Sequence, residues 1–337
     1  MKQQLLSKHQ KKLLLNAEKF PEEIIELVHR KKWLLIWVSK EFNGLDFSFS
    51  KGLKLLYQLA KQDGSLGWFV TLCSGANYFS KNLKPKTAHE IFNTKNVCLG
   101  GSGMVTGTAK VHNKNSFLIN GTWKYATGAP YLSHFTFSTK VDNDIISFVI
   151  PKEKVTIIPE WESMGMRATN TFSFSLKDLV VSKKYSFKYD RVYTQDKTSG
   201  IPFKVFADLT LLVNYIGMAQ NFAEIIGNKR MKEFTKGAIK KTIAIAKEVE
   251  QTLTNKNVLS KEQIEEIHVF GEEIVSDLCI YFIKSYVTLG IEASRRTSTI
   301  NQVFRDFFTA TQHANFRKKK IEFMQKCEKF NLSLDKE

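Results

Sequence analysis

The spacing of apolar side chains changes twice along this chain, and the order of the changes limits its fold more than any single motif does. Up to about residue 93, apolar residues recur at helical spacing, as in FPEEIIELVHRKKWLLIWV. From about residue 96, short β-branched and aromatic runs are separated by Gly, Asn-Asp and Pro, which is typical of strands. Helical spacing returns after about residue 186. The sequence therefore predicts an α+β fold with a helical domain at 1–95, a β-barrel or β-sandwich domain at 96–185 and a helical domain at 186–337.

Local signals place several element boundaries. The pair Asp63-Gly64 predicts a break between two helices of the N-terminal region. HNKNS at 112–116 and VDNDI at 141–145 predict the turns of two β-hairpins. A last helix is expected from about 299 to 327.

The charge balance bears on the class of partner. Fifty Lys and Arg against 33 Asp and Glu give a formal net charge of +17, which could attract nucleic acid, an anionic membrane or a phosphate-bearing ligand. The lysines are spread along the chain, without a zinc finger, an RNP motif or a compact basic helix. We therefore expect a solvated basic surface and no nucleic-acid partner. An anionic cofactor or a coenzyme A thioester is the functional alternative.

No apolar run reaches the roughly 18 residues that a membrane-spanning helix needs. The N-terminal segment MKQQLLSKHQKKLLLNAEKF is polar and lysine-rich, without a signal-peptide core or cleavage site. These features predict no membrane span and a cytoplasmic location. The four cysteines, Cys73, Cys98, Cys279 and Cys327, contain no C-x-x-C pair, which favours buried free thiols over a metal site.

Two stretches are candidates for a functional site: INGTWKYATG at 119–128 and WESMGMRATNTFSFSLKDLVV at 161–181. Neither contains metal-ligand spacing, a phosphate loop or a nucleophile with an evident base. The residues alone leave two interpretations open. The stretches either form a hairpin with core aromatics, since aromatic positions in strands mostly serve packing, or line a site whose reactivity comes from a cofactor.

Taken in order, five segments resemble landmarks of the acyl-CoA dehydrogenase-like flavoprotein superfamily. Each segment alone is a weak signal, but their order and spacing from about residue 30 to residue 316 carry the resemblance. The segments are SKEFNGLDFS, LAKQDGSLGWFVTL, INGTWKYATG, SMGMRATNTFSFSLKDLVV and STINQVFRDFFTATQHANF.

The resemblance implies an N-terminal α-domain, a central β-barrel and a C-terminal four-helix bundle, with FAD or FMN between barrel and bundle. It also implies a homodimer or homotetramer assembled through the bundle. Arg295 and Arg296 stand where glycines are common in the superfamily and could contact a pyrophosphate across a subunit interface. The other site residues implied are Trp123 or Tyr125 against the flavin ring, Thr127 near flavin N5 or the phosphate, Gly128 for close backbone approach, Ser102 of CLGGSG beside the flavin, and Arg167 and Thr169 for positioning substrate or cofactor.

The same resemblance bears on the reaction. Acyl-CoA dehydrogenases remove the substrate α-proton with a glutamate, and the two places where the superfamily carries it are Ala314 and about Ala207 here. Asp208 is adjacent to the second place, but a shift of one helical residue rotates a side chain by about 100°. His313 instead fits the R-D-x-x-x-x-x-x-H pattern of two-component flavin monooxygenases, which take reduced flavin from a partner reductase and use a histidine to manage protons.

The sequence therefore predicts a flavin-dependent oxidoreductase, favoured as a monooxygenase that uses reduced flavin, acts on a small molecule and employs His313 in proton transfer. Two alternatives stay open. One is a dehydrogenase of acyl-CoA or acyl-carrier-protein thioesters with a displaced base such as Asp208 or Glu224. The other is a flavin-less homologue that acts as a binding or scaffold protein.

Overall fold

The computed structural model describes residues 5–255 and 257–316. Within that part of the chain, five α-helices precede seven strands, and four α-helices follow them. The helices are α1 (Lys8–Leu14), α2 (Glu22–Arg30), α3 (Phe49–Gln62), α4 (Gly64–Asn77), α5 (Pro85–Phe92), α6 (Phe203–Ile225), α7 (Lys229–Thr254), α8 (Lys261–Tyr286) and α9 (Thr299–Ala310). The strands are β1 (Leu99–Asn113), β2 (Ser116–Ala126), β3 (His134–Val141), β4 (Asp144–Pro151), β5 (Thr156–Ile158), β6 (Phe172–Ser182) and β7 (Ser186–Phe187).

Asp63 separates α3 from α4, as the sequence predicts. Its backbone is extended, with φ −157° and ψ 127°, and its side chain accepts a hydrogen bond from the backbone N–H of Leu66 at 2.8 Å. This is the N-cap arrangement, in which a carboxylate satisfies an N–H group that has no partner inside the helix. The helix that follows is buried on nearly every side, so α4 runs through the interior of the protein.

The second interior helix, α6, packs directly on α3. At Gly217 of α6, a Cβ atom would lie 2.7 Å from the carbonyl oxygen of Tyr57 and 2.9 Å from the Cβ of Ala60. The two helix backbones can therefore approach each other only because position 217 has no side chain. Both α4 and α6 carry apolar residues all round, which is typical of helices enclosed by the rest of a domain.

The strands form one sheet in the order β5-β6-β2-β1-β3-β4-β7. Both predicted hairpins are confirmed, since β1 pairs with β2 and β3 pairs with β4 in antiparallel fashion. The first part of β1 also pairs in parallel with β3, from Leu99 to Thr108, so β1 joins the two hairpins. A barrel or a sandwich was predicted, and the described strands instead form a single sheet that is not closed into a barrel. The sheet is open because its two edge strands, β5 and β7, are three and two residues long and each pairs on one side only.

Arg305 and Asp306, in α9, bind the loop that connects β5 to β6. The backbone N–H of Met166 donates to Asp306 Oδ1 at 2.6 Å, and Arg305 Nη1 donates to the carbonyl oxygen of Met164 at 2.7 Å. Between them, the N–H of Gly165 donates to Thr309 Oγ1 at 2.9 Å. Two of the five sequence landmarks, the one around Arg305 and the one around Gly165, are therefore in direct contact.

Other boundary predictions have mixed outcomes. The last helix starts at Thr299 as expected but ends at Ala310, and the predicted part from 317 to 327 lies outside the described residues. Helix α8 ends at Tyr286, shortly before Gly290, whose φ of 69° is incompatible with a continuing helix. Cys73 and Cys98 are buried free thiols as predicted, and Cys327 lies outside the described residues. No helix within the described residues combines the length and apolar character needed to cross a membrane.

We predict that Gly165→Ala lowers the free energy of unfolding by about 1–3 kcal/mol, the usual cost of forcing an extra group into a packed site. The new Cβ would lie 2.3 Å from the carbonyl carbon and oxygen of Arg305, so the loop or α9 must shift. Urea unfolding measures the difference. The matched control is Gly237→Ala in α7, where a Cβ meets no atom within 4 Å and alanine favours the helix by about 1 kcal/mol. Equal stability of the two variants would contradict the contact.

Candidate functional site

A cavity of about 270 Å³ lies between the two interior helices and the sheet. Its walls come from α4, α6, the first residues of β1, the middle of β3 and the segment after α9. The cavity is half open to solvent and close to the lower end of the roughly 300–1,000 Å³ typical of ligand pockets. It therefore suits a planar ring system whose remaining atoms extend outward.

Aromatic side chains form one end of the cavity. The ring of Phe79 stacks on Tyr189 with centroids 4.3 Å apart and lies 5.3 Å from Phe187 and 5.0 Å from Phe203. Tyr189 and Phe203 are 41% and 38% exposed, so they form the rim of the opening. This wall offers ring faces and edges to a flat apolar ligand.

The loop that carries Tyr189 is anchored by buried polar groups. Nδ2 of Asn82 donates to the carbonyl oxygens of Lys188, Tyr189 and Arg191 at 3.2, 3.1 and 2.9 Å. Next to it, the ammonium group of Lys81 lies 3.3 Å from Asp196 Oδ1, and burial lowers the pKa of Lys81 to about 8. The aromatic rim is thus a fixed part of the cavity.

Glycines and small hydroxyl side chains form a second part of the lining. Gly100 to Gly103 of β1 border the cavity, and a Cβ on Gly103 would meet no atom within 4 Å. Thr127, Ser138 and Ser147 add hydroxyl groups, and Ser138 Oγ is 2.9 Å from Ser147 Oγ. This wall can hydrogen-bond carbonyl or phosphate oxygens through backbone N–H and hydroxyl groups without a charged side chain.

Among the described residues that line the cavity, none is Asp, Glu, Lys or Arg, and the two titratable side chains are Tyr189 and His313. His313 lies at the mouth, with its ring edge-on to Trp68 at 5.7 Å and its Nδ1 accepting the N–H of Asn315 at 3.3 Å. Surrounding protein atoms lower the pKa of His313, so the imidazole is neutral near pH 7. The lining residues that the structure describes include neither a carboxylate base nor a nucleophile with its own base, so redox reactivity at these residues must come from a bound group.

Three of the predicted site residues line this cavity: Ser102, Thr127 and His313. Gly128 lies directly behind it in the left-handed region (φ 75°), with a Cβ position 2.4 Å from the ring of Phe69. Its N–H donates to the carbonyl oxygen of Thr169 at 2.8 Å. Thr169 is fully buried and bonds Met166 and Thr171, so it supports the turn behind Thr127. Contact of any of these residues with a flavin stays a prediction.

The structure corrects the expectation for Trp123. Its ring is fully buried between Phe137 and Phe174, at 4.5 and 5.5 Å, and its Nε1 donates to the carbonyl oxygen of Ser138 at 3.0 Å. A side chain enclosed in this way packs the sheet and does not face a ligand. Tyr125 is 61% exposed, with a left-handed backbone at φ 68°, and lies outside the cavity lining.

The predicted arginines also lie outside the cavity lining. Nη2 of Arg167 donates to Glu18 Oε1 at 2.6 Å, so this side chain ties two segments together and is not placed to position a cavity ligand. Arg295 and Arg296 are exposed, 3.0 Å from Glu292 and 3.9 Å from Glu18. Their contact with a pyrophosphate across a subunit interface stays a prediction.

The two carboxylates considered as displaced bases are engaged elsewhere. Asp208 is fully buried behind Ala207, and its oxygens bind Asn315 and His268. Glu224 accepts from Lys61 Nζ at 2.6 Å on the far part of α6. Neither lines the cavity.

The aromatic rim was not predicted from the sequence. Phe79 lies in the short 3-10 helix after α4, Tyr189 in the loop after β7 and Phe203 at the start of α6. Nothing in the local pattern distinguishes these positions from core aromatics. The length of the polar segment between β7 and α6 is a signal that could have drawn attention to Tyr189, since long loops in compact domains are often functional.

The chain matches no protein-family model. Among curated proteins, it is 24% identical over 173 residues to the indole-3-acetate monooxygenase of Acinetobacter baumannii, covering 49% of this chain and 44% of the relative. It is 20% identical over 220 residues to the oxygenase subunit HsaA, a flavin-dependent monooxygenase of Mycobacterium tuberculosis, covering 60% and 55%. The matches thus span about half the length of these relatives.

Solved structures resemble the chain over nearly its whole length. XiaF from a Streptomyces species, in complex with FADH2 and glycerol, has a TM-score of 0.80 at 15% identity, covering 91% of this chain and 90% of XiaF. TdsC from Paenibacillus sp. A11-2, in complex with FMN and indole, has a TM-score of 0.76 at 18% identity, covering 96% and 94%. The resemblance predicted from the sequence is therefore confirmed: the chain has the fold of flavin-dependent monooxygenases of the acyl-CoA dehydrogenase-like superfamily.

Proposed function

We propose that this protein is the oxygenase component of a two-component system that uses reduced FAD or FMN to oxygenate a small aromatic molecule. The observation that carries the proposal is the cavity. Its described lining contains no carboxylate for the proton abstraction of a dehydrogenase, but it contains His313. The relatives and structural neighbours are monooxygenases or flavin complexes and so support the same reaction class.

The wall formed by Gly100 to Gly103 and Thr127 is the part of the cavity suited to hold the flavin. It offers backbone N–H groups and hydroxyls, with open space beside Gly103. When bound in its reduced form, the flavin would supply the activation of oxygen. The net charge of +17 favours capture of an anionic flavin from a partner reductase, since opposite charges raise the rate of encounter.

His313 is the residue that would manage a proton in this cavity. Because its Nδ1 accepts the N–H of Asn315, the neutral ring carries its proton on Nε2. Nε2–H can then donate a hydrogen bond to an oxygen of the reacting groups.

The aromatic end favours a flat aromatic substrate. Rings of Phe79, Tyr189 and Phe203 can contact a planar ligand in stacked or edge-to-face geometry. The names of the relatives point the same way, because one acts on indole-3-acetate and one structural neighbour contains indole. A small neutral or weakly charged aromatic is compatible with the cavity, whereas a thioester dehydrogenase would lack its base.

We also propose that the protein is cytoplasmic and forms a homodimer or homotetramer. The division into a helical domain at 1–95, a β domain at 96–185 and a four-helix bundle within 186–337 is supported by the order of helices and strands.

We predict that His313→Ala lowers oxygenation of an aromatic substrate by at least about 100-fold, the usual effect of losing an acid–base group or an aimed donor. Product formed per reduced flavin consumed is the measurement. The control is Gln312→Ala, because Gln312 is exposed and lies outside the cavity lining. A product yield per reduced flavin equal to that of the wild type would rule out a role for His313 in the reaction.

If the wild-type protein bound flavin in neither redox state, both the monooxygenase and the dehydrogenase hypotheses would be wrong.

We predict that Tyr189→Ala weakens binding of indole by about 5-fold, because an aromatic contact contributes about 1 kcal/mol beyond its buried area. Tyr189→Phe keeps the ring and should bind indole as the wild type does. Equilibrium dialysis with radiolabelled indole gives both dissociation constants. Equal weakening in the two variants would assign the effect to the hydroxyl group and contradict the aromatic subsite.

A further inference from the structure

A series of hydrogen bonds leads from α8 to His313. Its Nδ1 accepts the backbone N–H of Asn315 at 3.3 Å. The Nδ2 of Asn315 donates to Asp208 Oδ1 at 2.7 Å, and Asp208 Oδ2 is 3.1 Å from His268 Nδ1. These hydrogen bonds therefore connect α8, through Asp208 in α6, to the segment that follows α9.

Asp208 is the buried centre of this series of hydrogen bonds. It is fully buried, yet each of its carboxylate oxygens has a partner. Burial raises the pKa of Asp208, while the hydrogen bond from Asn315 and the nearby His268 and Lys204 act in the opposite direction. An unpaired carboxylate in such a place would be costly, so the contacts with Asn315 and His268 are firmly held.

His268 is fixed by its other neighbours. Its Nε2 is 3.7 Å from Glu272 Oε1, one turn further along α8. The ring of Phe316 stacks on it with centroids 5.6 Å apart, and Phe316 is buried where a Cβ on Gly271 would lie 2.6 Å from its ring. The short 3-10 turn Ala314–Phe316 is therefore held by the side chains of both Asn315 and Phe316.

The fixed turn decides which nitrogen of His313 carries the proton. A neutral imidazole has one N–H and one acceptor nitrogen, and the partner of one nitrogen selects the state of the other. Because the Asn315 N–H points at Nδ1, the proton must lie on Nε2. Trp68, edge-on at 5.7 Å, limits rotation of the ring.

We propose that Asp208 and His268 are positioning residues for His313. By anchoring the Asn315 side chain, they hold its backbone N–H on Nδ1 and keep the proton of neutral His313 on Nε2, as a donor for the cavity. The catalytic consequence rests on the proposed function. The tautomer does not, so the two can be tested apart.

The test is nitrogen NMR of the full-length protein labelled with 15N-histidine, at a pH where His313 is neutral. Of the seven histidines, the His313 signals are those lost in His313→Gln. The wild type should show an unprotonated Nδ1 and a protonated Nε2. Asn315→Ala and Asp208→Asn should shift His313 toward a mixture of tautomers. The control is Glu265→Gln, since Glu265 is an exposed α8 carboxylate paired with Lys204 and should leave the His313 signals unchanged.

A second readout separates positioning from general damage. In the oxygenation assay, Asp208→Asn should lower kcat by about 10-fold, as loss of an outer partner of a functional histidine typically does, with little change in KM for the aromatic substrate. A wild-type proton on Nδ1, or wild-type signals in both Asn315→Ala and Asp208→Asn, would overturn the proposal. An enzyme without flavin activity but with the predicted tautomer shifts would overturn the proposed function and keep the positioning role.

Discussion

The contact between the Asp306 carboxylate and the backbone N–H of Met166 is the interaction on which the site depends. Asp306 is buried beside Asp63, and burial raises the pKa of Asp63 to about 7 and that of Asp306 to about 6. The N–H of Met166 donates to Asp306 at 2.6 Å, and the carbonyl of Met166 accepts from Thr169 Oγ1. The carbonyl of Thr169 in turn accepts the N–H of Gly128. Asp306 thereby links α9, which leads to His313, with the turn that presents Thr127 to the cavity.

A cavity with no charged side chain in its described lining can be functional when a bound group supplies the reactivity. Its lining combines aromatic rings with glycine and hydroxyl groups. A bound flavin would bring the redox reactivity, and the protein would supply shape and hydrogen-bond donors. The acidic groups close to the site have other tasks. Asp306 and Asp208 hold backbone and side-chain groups in place.

The sequence predicts those parts of the structure that depend on local patterns. The order of helices and strands, both hairpins and the break at Asp63 follow from periodicity and turn residues. The burial of Trp123 could not be predicted, because a strand pattern does not reveal which face of the sheet meets the ligand and which meets the core. The aromatic rim and the link from His268 to His313 could not be predicted, since each joins residues from elements distant in the chain. Whether the sheet closes into a barrel could not be predicted either. Closure depends on pairing between the two edge strands, which no local sequence signal predicts.

Isotope incorporation tests whether this cavity, whose described lining has no carboxylate, hosts oxygen transfer. The purified protein is mixed anaerobically with reduced FMN or FAD and an indole-type aromatic, then exposed to 18O2, and the products are examined by mass spectrometry. We expect a product that has gained one oxygen atom, carrying 18O from the gas and not oxygen from water. Reduced flavin oxidised entirely to hydrogen peroxide, with no oxygenated product from a panel of aromatics, would contradict it.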